Sequence, residues 1–269
     1  MTTLHHAQHA AIAHRLREAA AQHRPIDPPS AQFPNLDLDD AIAIQALEIR
    51  WREQAGQRRV GHKIGPSVAA PRAGQDALAY GTLFDVMAYG DGEPIPPANL
   101  LQARAEAHIA LVLAHDLDLA RPTYADILQA LAYALPAIEI SASRLAQPTL
   151  GACDAVADNG GAGAFVLGAT PTPLAGLDLR LAGMVLQRRG EPVSTGAGAA
   201  CQGHPFNALI GLARLLAAHG QPLRRGHIVL CGALGPAVPA HAGDVFDAHI
   251  NGLGSVRAAL DTDLPRNTP

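Results

Sequence analysis

The chain has few cysteines and few charges. Its 269 residues include only Cys153, Cys201 and Cys231, with no Cys-x-x-Cys spacing, which argues against a disulfide framework and a cysteine-based zinc site. A charged fraction of 16% and a net charge of −4 predict no binding of nucleic acid or an anionic membrane. The chain also lacks a membrane-length apolar run and a signal-like N-terminus, so we expect a cytosolic protein.

Lysine is almost absent. Of the twenty basic residues, the only lysine is Lys63, in a chain whose composition otherwise favours arginine. A buried lysine can lose its proton near neutral pH, whereas a guanidinium effectively cannot. Lys63 is therefore a candidate for proton transfer, although a surface lysine kept by chance would look the same.

The pattern of apolar residues predicts an α+β protein. Hydrophobic residues make up 48% of the chain, enough for a large core. Two helices are expected near the N-terminus, over residues 3–23 and from Asp37 or Asp39 to Gly56. Short apolar stretches between glycines and prolines then indicate strands, interrupted by helices over Tyr124–Ala134 and from Pro205 onward. We expect a helical N-terminal segment (residues 1–58) and a mixed β-roll catalytic domain (residues 59–269).

Three residues could hold a metal ion. If Arg104 to Leu113 form a strand, Glu106 and His108 project from the same face, because side chains two apart share a face. A half-exposed strand with no site gives the same alternation. Glu139 stands in the apolar string Leu135-Pro-Ala-Ile-Glu-Ile, where an unpaired carboxylate is unfavourable, although an exposed edge position would also explain it. Together the three would suit a divalent ion.

The residues on either side of Lys63 favour a lysine side chain that points towards a ligand. Gly61-His-Lys-Ile-Gly65 reads as a strand whose glycines let the backbone approach a ligand closely. Short strings of this kind are common, so the motif carries weight only in combination with others.

Taken together, these strings resemble the 2-oxopent-4-enoate hydratase and 4-oxalocrotonate decarboxylase family of the fumarylacetoacetate hydrolase superfamily. The resemblance runs from about Leu36 to Leu260 and rests on the order and spacing of the following motifs: Gly61-His-Lys-Ile-Gly65, Gly81-Thr-Leu-Phe-Asp85, Ala105-Glu-Ala-His108, Pro136-Ala-Ile-Glu139, Val156-Ala-Asp-Asn159, Thr195-Gly-Ala-Gly-Ala-Ala200, Gly203-His-Pro205 and Gly252-Leu-Gly-Ser-Val256.

The resemblance implies a β-barrel-like mixed roll, a homo-oligomer, a bound Mg²⁺ or Mn²⁺, and a small 2-oxo acid or 2-hydroxydienoate as substrate. It implies metal ligation by Glu106, His108 and Glu139, and proton transfer by Lys63 and Asp85. The substrate-binding residues that it implies are Asp158, Asn159, Gly232 and Ala233.

Departures from the family pattern leave the reaction open. His108 stands where a second carboxylate is usual, which favours softer ions than Mg²⁺. His62 replaces a commonly aromatic position, and Ala233 and Gly235 replace hydroxyl-bearing residues of the hydratases. Hydration is the preferred reaction, with decarboxylation second. A catalytically altered homologue and an acylpyruvate hydrolase are further alternatives.

Overall fold

The structure is a computed structural model that describes residues 4–66, 78–146 and 151–262. The helices within these ranges are α1 (His6–Gln22), α2 (Pro29–Gln32), α3 (Leu38–Gln54), α4 (Tyr124–Ala130), α5 (Ala152–Ala157) and α6 (Pro205–Ala218). The strands there are β1 (Arg59–Pro66), β2 (Leu78–Phe84), β3 (Ala88–Tyr89), β4 (Pro94–Ile95), β5 (Arg104–Leu113), β6 (Leu131–Ser141), β7 (Ala164–Leu167), β8 (Gly183–Arg188), β9 (Glu191–Ala197), β10 (Ile228–Cys231), β11 (Val238–Pro239), β12 (Val245–Ile250) and β13 (Gly254–Leu260).

The N-terminal helices share the core of the strands. Of the two predicted starts of α3, Asp37 and Asp39, the N-cap is Asp37. Its carboxylate accepts a hydrogen bond from the Asp40 backbone nitrogen, which satisfies one of the free N–H groups of the first turn. Ile12 of α1 and Ile44 of α3 are buried in the same apolar cluster as Ile138 and Val229 of the sheet. The helical segment therefore packs on the strands.

The strands form two sheets. The larger follows the order β2-β1-β10-β5-β6-β7-β3, with β11 added beside β5, and the smaller follows β4-β13-β12-β8-β9. Parallel pairs such as β1 with β10 occur beside antiparallel pairs such as β5 with β6. A hairpin turn at Arg189-Gly190 joins β8 to β9. These features confirm the α+β class with a mixed β-roll core.

One predicted helix is shorter than expected. The helix predicted over Tyr124–Ala134 ends at Ala130, and Leu131 begins strand β6. Pro136 lies inside that strand, opposite Ile109 of β5, and its carbonyl accepts a hydrogen bond from the Gly168 nitrogen. Pairing of β6 with the whole length of β5 therefore outweighs the local helix signal, because each strand residue gains ladder bonds and burial.

Candidate active site

Two adjacent antiparallel strands bring three predicted metal ligands together. Glu106 and His108 lie two residues apart on β5, and Glu139 of β6 is the direct partner of Glu106 in the register. Directly opposite residues share a face of the sheet. All three side chains therefore project from one face, and each offers a ligand atom within 4.8 Å of the others.

The cluster is enclosed by protein. His108 and Glu139 are fully buried, while the Glu106 side chain keeps 17% of its exposure. His108 Nε2 lies 3.2 Å from Glu139 Oε2 and 3.6 Å from Glu106 Oε2, and neither contact is a hydrogen bond. Among the described residues, His108 Nε2 and Glu139 Oε2 are thus buried without a hydrogen-bond partner.

The electrostatics of the cluster favour a positive charge. Burial by itself lowers the pKa of His108, but the carboxylates of Glu106 and Glu139 outweigh it and raise that pKa to about 9. Burial likewise raises the pKa of Glu106, and the opposing effects of His108 and Lys63 bring it down to about 2. Two carboxylates that hold a proton on a buried imidazole would also hold a metal cation in its place.

Lys63 joins the cluster from β1. Its Nζ donates a hydrogen bond of 2.5 Å to Glu139 Oε1, and its side chain is buried. Burial opposes the charged form of Lys63, yet the nearby charges of Glu139 and Glu106 raise the pKa of this amine. The only lysine of the chain is therefore a buried cation held against a candidate metal ligand.

The loop that follows β10 forms one wall of the site. The Gly232 nitrogen donates to the Ile64 carbonyl, and the Leu234 nitrogen donates to the Ala107 carbonyl, so the loop runs between the strands that carry Lys63 and His108. A Cβ atom at Gly232 would lie 2.5 Å from His108 Nδ1. Only glycine leaves room for this imidazole. Ala233, next in the loop, is half-buried.

The predicted acid Asp85 lies away from Lys63 along the β1–β2 pair. Lys63 pairs with Gly81 in the middle of β2, whereas Asp85 comes directly after the end of that strand, beyond the pair of Arg59 with Phe84. The Asp85 carboxylate accepts hydrogen bonds from the backbone nitrogens of Arg58 and Val86. The β1–β2 pairing places Asp85 about four residues along the strand from Lys63, roughly 13 Å away, so Asp85 is not brought beside Lys63 and proton transfer by Asp85 stays a prediction.

Asp158 and Asn159 lie beside the site, but their polar atoms are engaged within the protein. Asp158 pairs with Arg144 at 2.5 Å and accepts a hydrogen bond from Ser143 Oγ. The Asn159 side chain is hydrogen-bonded to the backbone nitrogen and carbonyl of Thr82. Both side chains are therefore held by bonds within the protein, and these bonds fix their positions.

Ser141 also belongs to the site, although the sequence motifs did not single it out. Its Oγ donates a 3.0 Å hydrogen bond to Glu106 Oε1, which holds that carboxylate beside the imidazole. Ser141 stands two residues after Glu139 on β6 and therefore shares its face. The same alternation that linked Glu106 to His108 could have identified it.

The residues present fit a divalent metal ion. Two carboxylates and one imidazole supply three ligand atoms, a number that leaves coordination positions for substrate or water, as catalytic sites require. The two buried atoms without partners gain a bonding partner when a cation is present.

None of the helices in the described ranges is long and apolar enough to cross a membrane.

The chain is similar to known proteins over most of its length. The model of the fumarylacetoacetate (FAA) hydrolase C-terminal family matches residues 69–261. The 2-keto-4-pentenoate hydratase of Paraburkholderia xenovorans is 48% identical over 258 residues, which cover 95% of this chain and 96% of that protein. The 2-hydroxyhexa-2,4-dienoate hydratase of Comamonas testosteroni is 39% identical, over 90% of this chain and 93% of that protein.

A solved structure is similar as well. The 4-oxalocrotonate decarboxylase from Pseudomonas putida G7, complexed with magnesium and adipate, is 32% identical, with a TM-score of 0.89 over 97% of this chain and 100% of that one. The chain therefore belongs to the fumarylacetoacetate hydrolase superfamily, in the family of the 2-keto-4-pentenoate hydratases and 4-oxalocrotonate decarboxylases.

Proposed function

We propose that the protein is a metal-dependent lyase that adds water to a small 2-hydroxydienoate, of the 2-hydroxypenta-2,4-dienoate type, to give a 4-hydroxy-2-oxo acid. The observation that carries the proposal is the buried cluster of Glu106, His108 and Glu139 with Lys63 Nζ at 2.5 Å from Glu139. Hydration is preferred because the 48% and 39% identical relatives are both named as hydratases.

In the proposed reaction the metal ligands and Lys63 have separate roles. Glu106, His108 and Glu139 would hold a divalent ion, which when bound supplies a fixed positive charge for the negative charge that develops on the substrate 2-oxygen. Lys63 Nζ would deliver a proton to C5 of the dienol while the 2-hydroxyl proton returns to the amine, so that the dienol becomes a conjugated ketone with no net change in protons. Water then adds to the double bond, so the product contains all atoms of substrate and water.

We propose Mg²⁺ or Mn²⁺ as the ion, with Mn²⁺ or a softer ion favoured by His108. Imidazole nitrogen binds transition metals better than it binds Mg²⁺, which prefers oxygen ligands. Titration of chelator-treated protein with MgCl₂, MnCl₂ and ZnCl₂ by calorimetry tests this preference. Failure to take up any of them at millimolar concentration would leave only the non-catalytic alternative.

A decarboxylase is the second candidate, supported by the TM-score of 0.89 to the 4-oxalocrotonate decarboxylase. Manganese-loaded protein should be mixed in turn with 2-hydroxypenta-2,4-dienoate, 4-oxalocrotonate and an acylpyruvate, with products identified by NMR and CO₂ measured. A hydrated product from the first compound supports the hydratase. CO₂ from the second identifies a decarboxylase, cleavage of the third a hydrolase, and no product from any of them contradicts the enzyme proposal.

We further propose that the protein is a cytosolic homo-oligomer. All three cysteines are free thiols, in keeping with a reducing compartment. Trp51, Val86 and Leu181 are large apolar side chains that remain exposed on the single chain, and such surfaces are often covered in assemblies. Light scattering of the purified protein tests the assembly.

All candidate metal and proton-transfer residues follow residue 59, which supports residues 59–269 as the catalytic part and residues 1–58 as its helical cover.

A further inference from the structure

We propose that Asp158 and Asn159 are positioning residues that set the distance between Lys63 and Glu139, and that they do not bind substrate. This inference rests on the proposed function and assigns these two residues a different part in it. We call the pair the 158–159 clamp. One of its side chains holds β2, which pairs with the strand that carries Lys63, and the other holds the segment after β6, the strand that carries Glu139.

Asn159 holds the strand beside Lys63. Its Oδ1 accepts a 2.8 Å hydrogen bond from the Thr82 nitrogen, and its Nδ2 donates a 2.9 Å bond to the Thr82 carbonyl. Gln45 of α3 donates to the same Oδ1 at 3.3 Å and to the Tyr80 carbonyl at 3.2 Å. All of these groups are buried, so each bond is costly to lose. Asn159 therefore fixes strand β2 over the residues that flank Gly81.

Gly81 passes this constraint on to Lys63. The two residues are partners in the β1–β2 register. A Cβ atom at Gly81 would lie 2.0 Å from the Asn159 carbonyl oxygen and 3.3 Å from Lys63 Cγ. Gly81 is thus packed between the Asn159 backbone and the aliphatic part of the Lys63 side chain. A shift of Asn159 would therefore move Gly81 and Lys63.

Asp158 holds the segment that leaves Glu139. Its carboxylate accepts hydrogen bonds from Ser143 Oγ at 2.9 Å, the Arg144 nitrogen at 3.1 Å and Arg144 Nε at 2.5 Å. Ser143 and Arg144 directly follow strand β6, which carries Glu139. Burial raises the pKa of Asp158 despite the opposing Arg144 charge, so these bonds offset an unfavourable position for a carboxylate.

Two consecutive residues thus secure two distant strands. Lys63 is on β1 and Glu139 is on β6. The clamp fixes β2, which pairs with β1, and the chain segment that follows β6. Asn159 has a left-handed backbone with φ of 52°, which asparagine tolerates better than most residues. With this turn, the neighbouring side chains of Asp158 and Asn159 bond to different segments, the one after β6 and strand β2.

The single lysine allows a direct test. Protein grown with ¹³Cε-lysine gives one lysine signal, from Lys63, whose position can be compared between wild type and Asn159→Gly in the magnesium-loaded full chain. Glycine accepts the left-handed backbone and removes only the side-chain bonds. Arg189→Gly is the matched control, because Arg189 has a φ of 53° and a side-chain bond to the Gly243 carbonyl but lies in the turn between β8 and β9.

We expect the Lys63 signal to shift in Asn159→Gly and to stay in place in Arg189→Gly. We also expect kcat to fall between about tenfold and a hundredfold with KM within about twofold, because misplacement of a catalytic group by about 1 Å can cost a factor of that order. If Asn159→Gly does not fold, Gln45→Met removes the bonds to Asn159 and Tyr80 and should give a smaller change in the same direction.

Two results would overturn the inference. An unmoved lysine signal with unchanged kcat would show that the clamp does not position Lys63. A rise in KM alone would indicate substrate binding instead. If wild type turns over none of the tested compounds, the proposed reaction fails, yet the lysine signal still decides whether Asn159 positions Lys63.

Discussion

Lys63 Nζ lies 2.5 Å from Glu139 Oε1, although two other strands, β10 and β5, separate their strands in the sheet order. In a flat sheet three strand spacings put the two backbones about 14 Å apart, beyond the reach of a lysine side chain. Strong curvature of the sheet closes that gap. The contact between the cation and the candidate metal ligand is therefore a property of the curled sheet.

Replacement of Lys63 by arginine should abolish most turnover. Lys63→Arg keeps the positive charge beside Glu139 but removes a group that can give up its proton, and acid–base catalysis is typically worth a factor of about 10² to 10⁴. Steady-state kinetics on 2-hydroxypenta-2,4-dienoate measure the loss, and calorimetry with Mn²⁺ serves as the control for an intact metal site. Wild-type rates in this variant would exclude proton transfer as the role of Lys63.

A methyl group at position 232 should weaken metal binding. In Gly232→Ala the new Cβ would lie 2.5 Å from His108 Nδ1, so the imidazole must move away from Glu106 and Glu139, at a cost of about 1–3 kcal/mol for an overpacked interior. Mn²⁺ affinity by calorimetry should fall about tenfold or more. Gly183→Ala is the matched control, since a Cβ there meets nothing within 4 Å. Equal affinities for the two variants would contradict the fitted position of the ring.

A carboxylate in place of His108 should change which metal binds best. His108→Glu adds a hard oxygen ligand and a negative charge, so affinity for Mg²⁺ should rise relative to affinity for Zn²⁺ or Co²⁺. Competition titrations with paired metals measure the ratio, and we expect it to change by about tenfold or more. An unchanged ratio would mean that residue 108 does not contact the ion.

His62 should make the protein sensitive to acid. Burial first, and then the charges of His227 and Arg59, lower the pKa of His62 from 6.5 to about 3. Between those values the unfolded chain binds a proton that the folded chain does not, so stability falls as pH drops from about 6.5 towards 3 by up to about 1.4 kcal/mol per pH unit.

Denaturant unfolding at several pH values tests this expectation. His62→Phe should flatten the pH dependence by close to one proton, because the titrating group is gone. The exposed His249 on β12 offers a control in His249→Gln, which should leave the slope as in wild type. If the slope persists in His62→Phe, another buried group is responsible.

The candidate metal ligands could be predicted from sequence because their relation is local. Side chains two residues apart on a strand project from the same face, so the spacing of Glu106 and His108 is enough to link them. Glu139 is recognisable as a carboxylate in an apolar string. The same local reasoning failed at Leu131, where pairing with β5 replaced a predicted helix. The motif that contains Asp85 likewise gave no information on which residue of β2 lies beside Lys63, and that residue is Gly81.

The sequence alone determined the alternation of β5, the start of α3 at Asp37 or Asp39 and the single lysine available for proton transfer, since these depend on neighbouring residues and on composition. Only the tertiary structure decided that Lys63 meets Glu139, that Asp158 and Asn159 bond inward and that Gly232 makes room for His108. Those relations depend on the curvature of the sheet and on the register between strands far apart in the chain. Both arise from packing of the whole protein, which no short stretch of sequence contains.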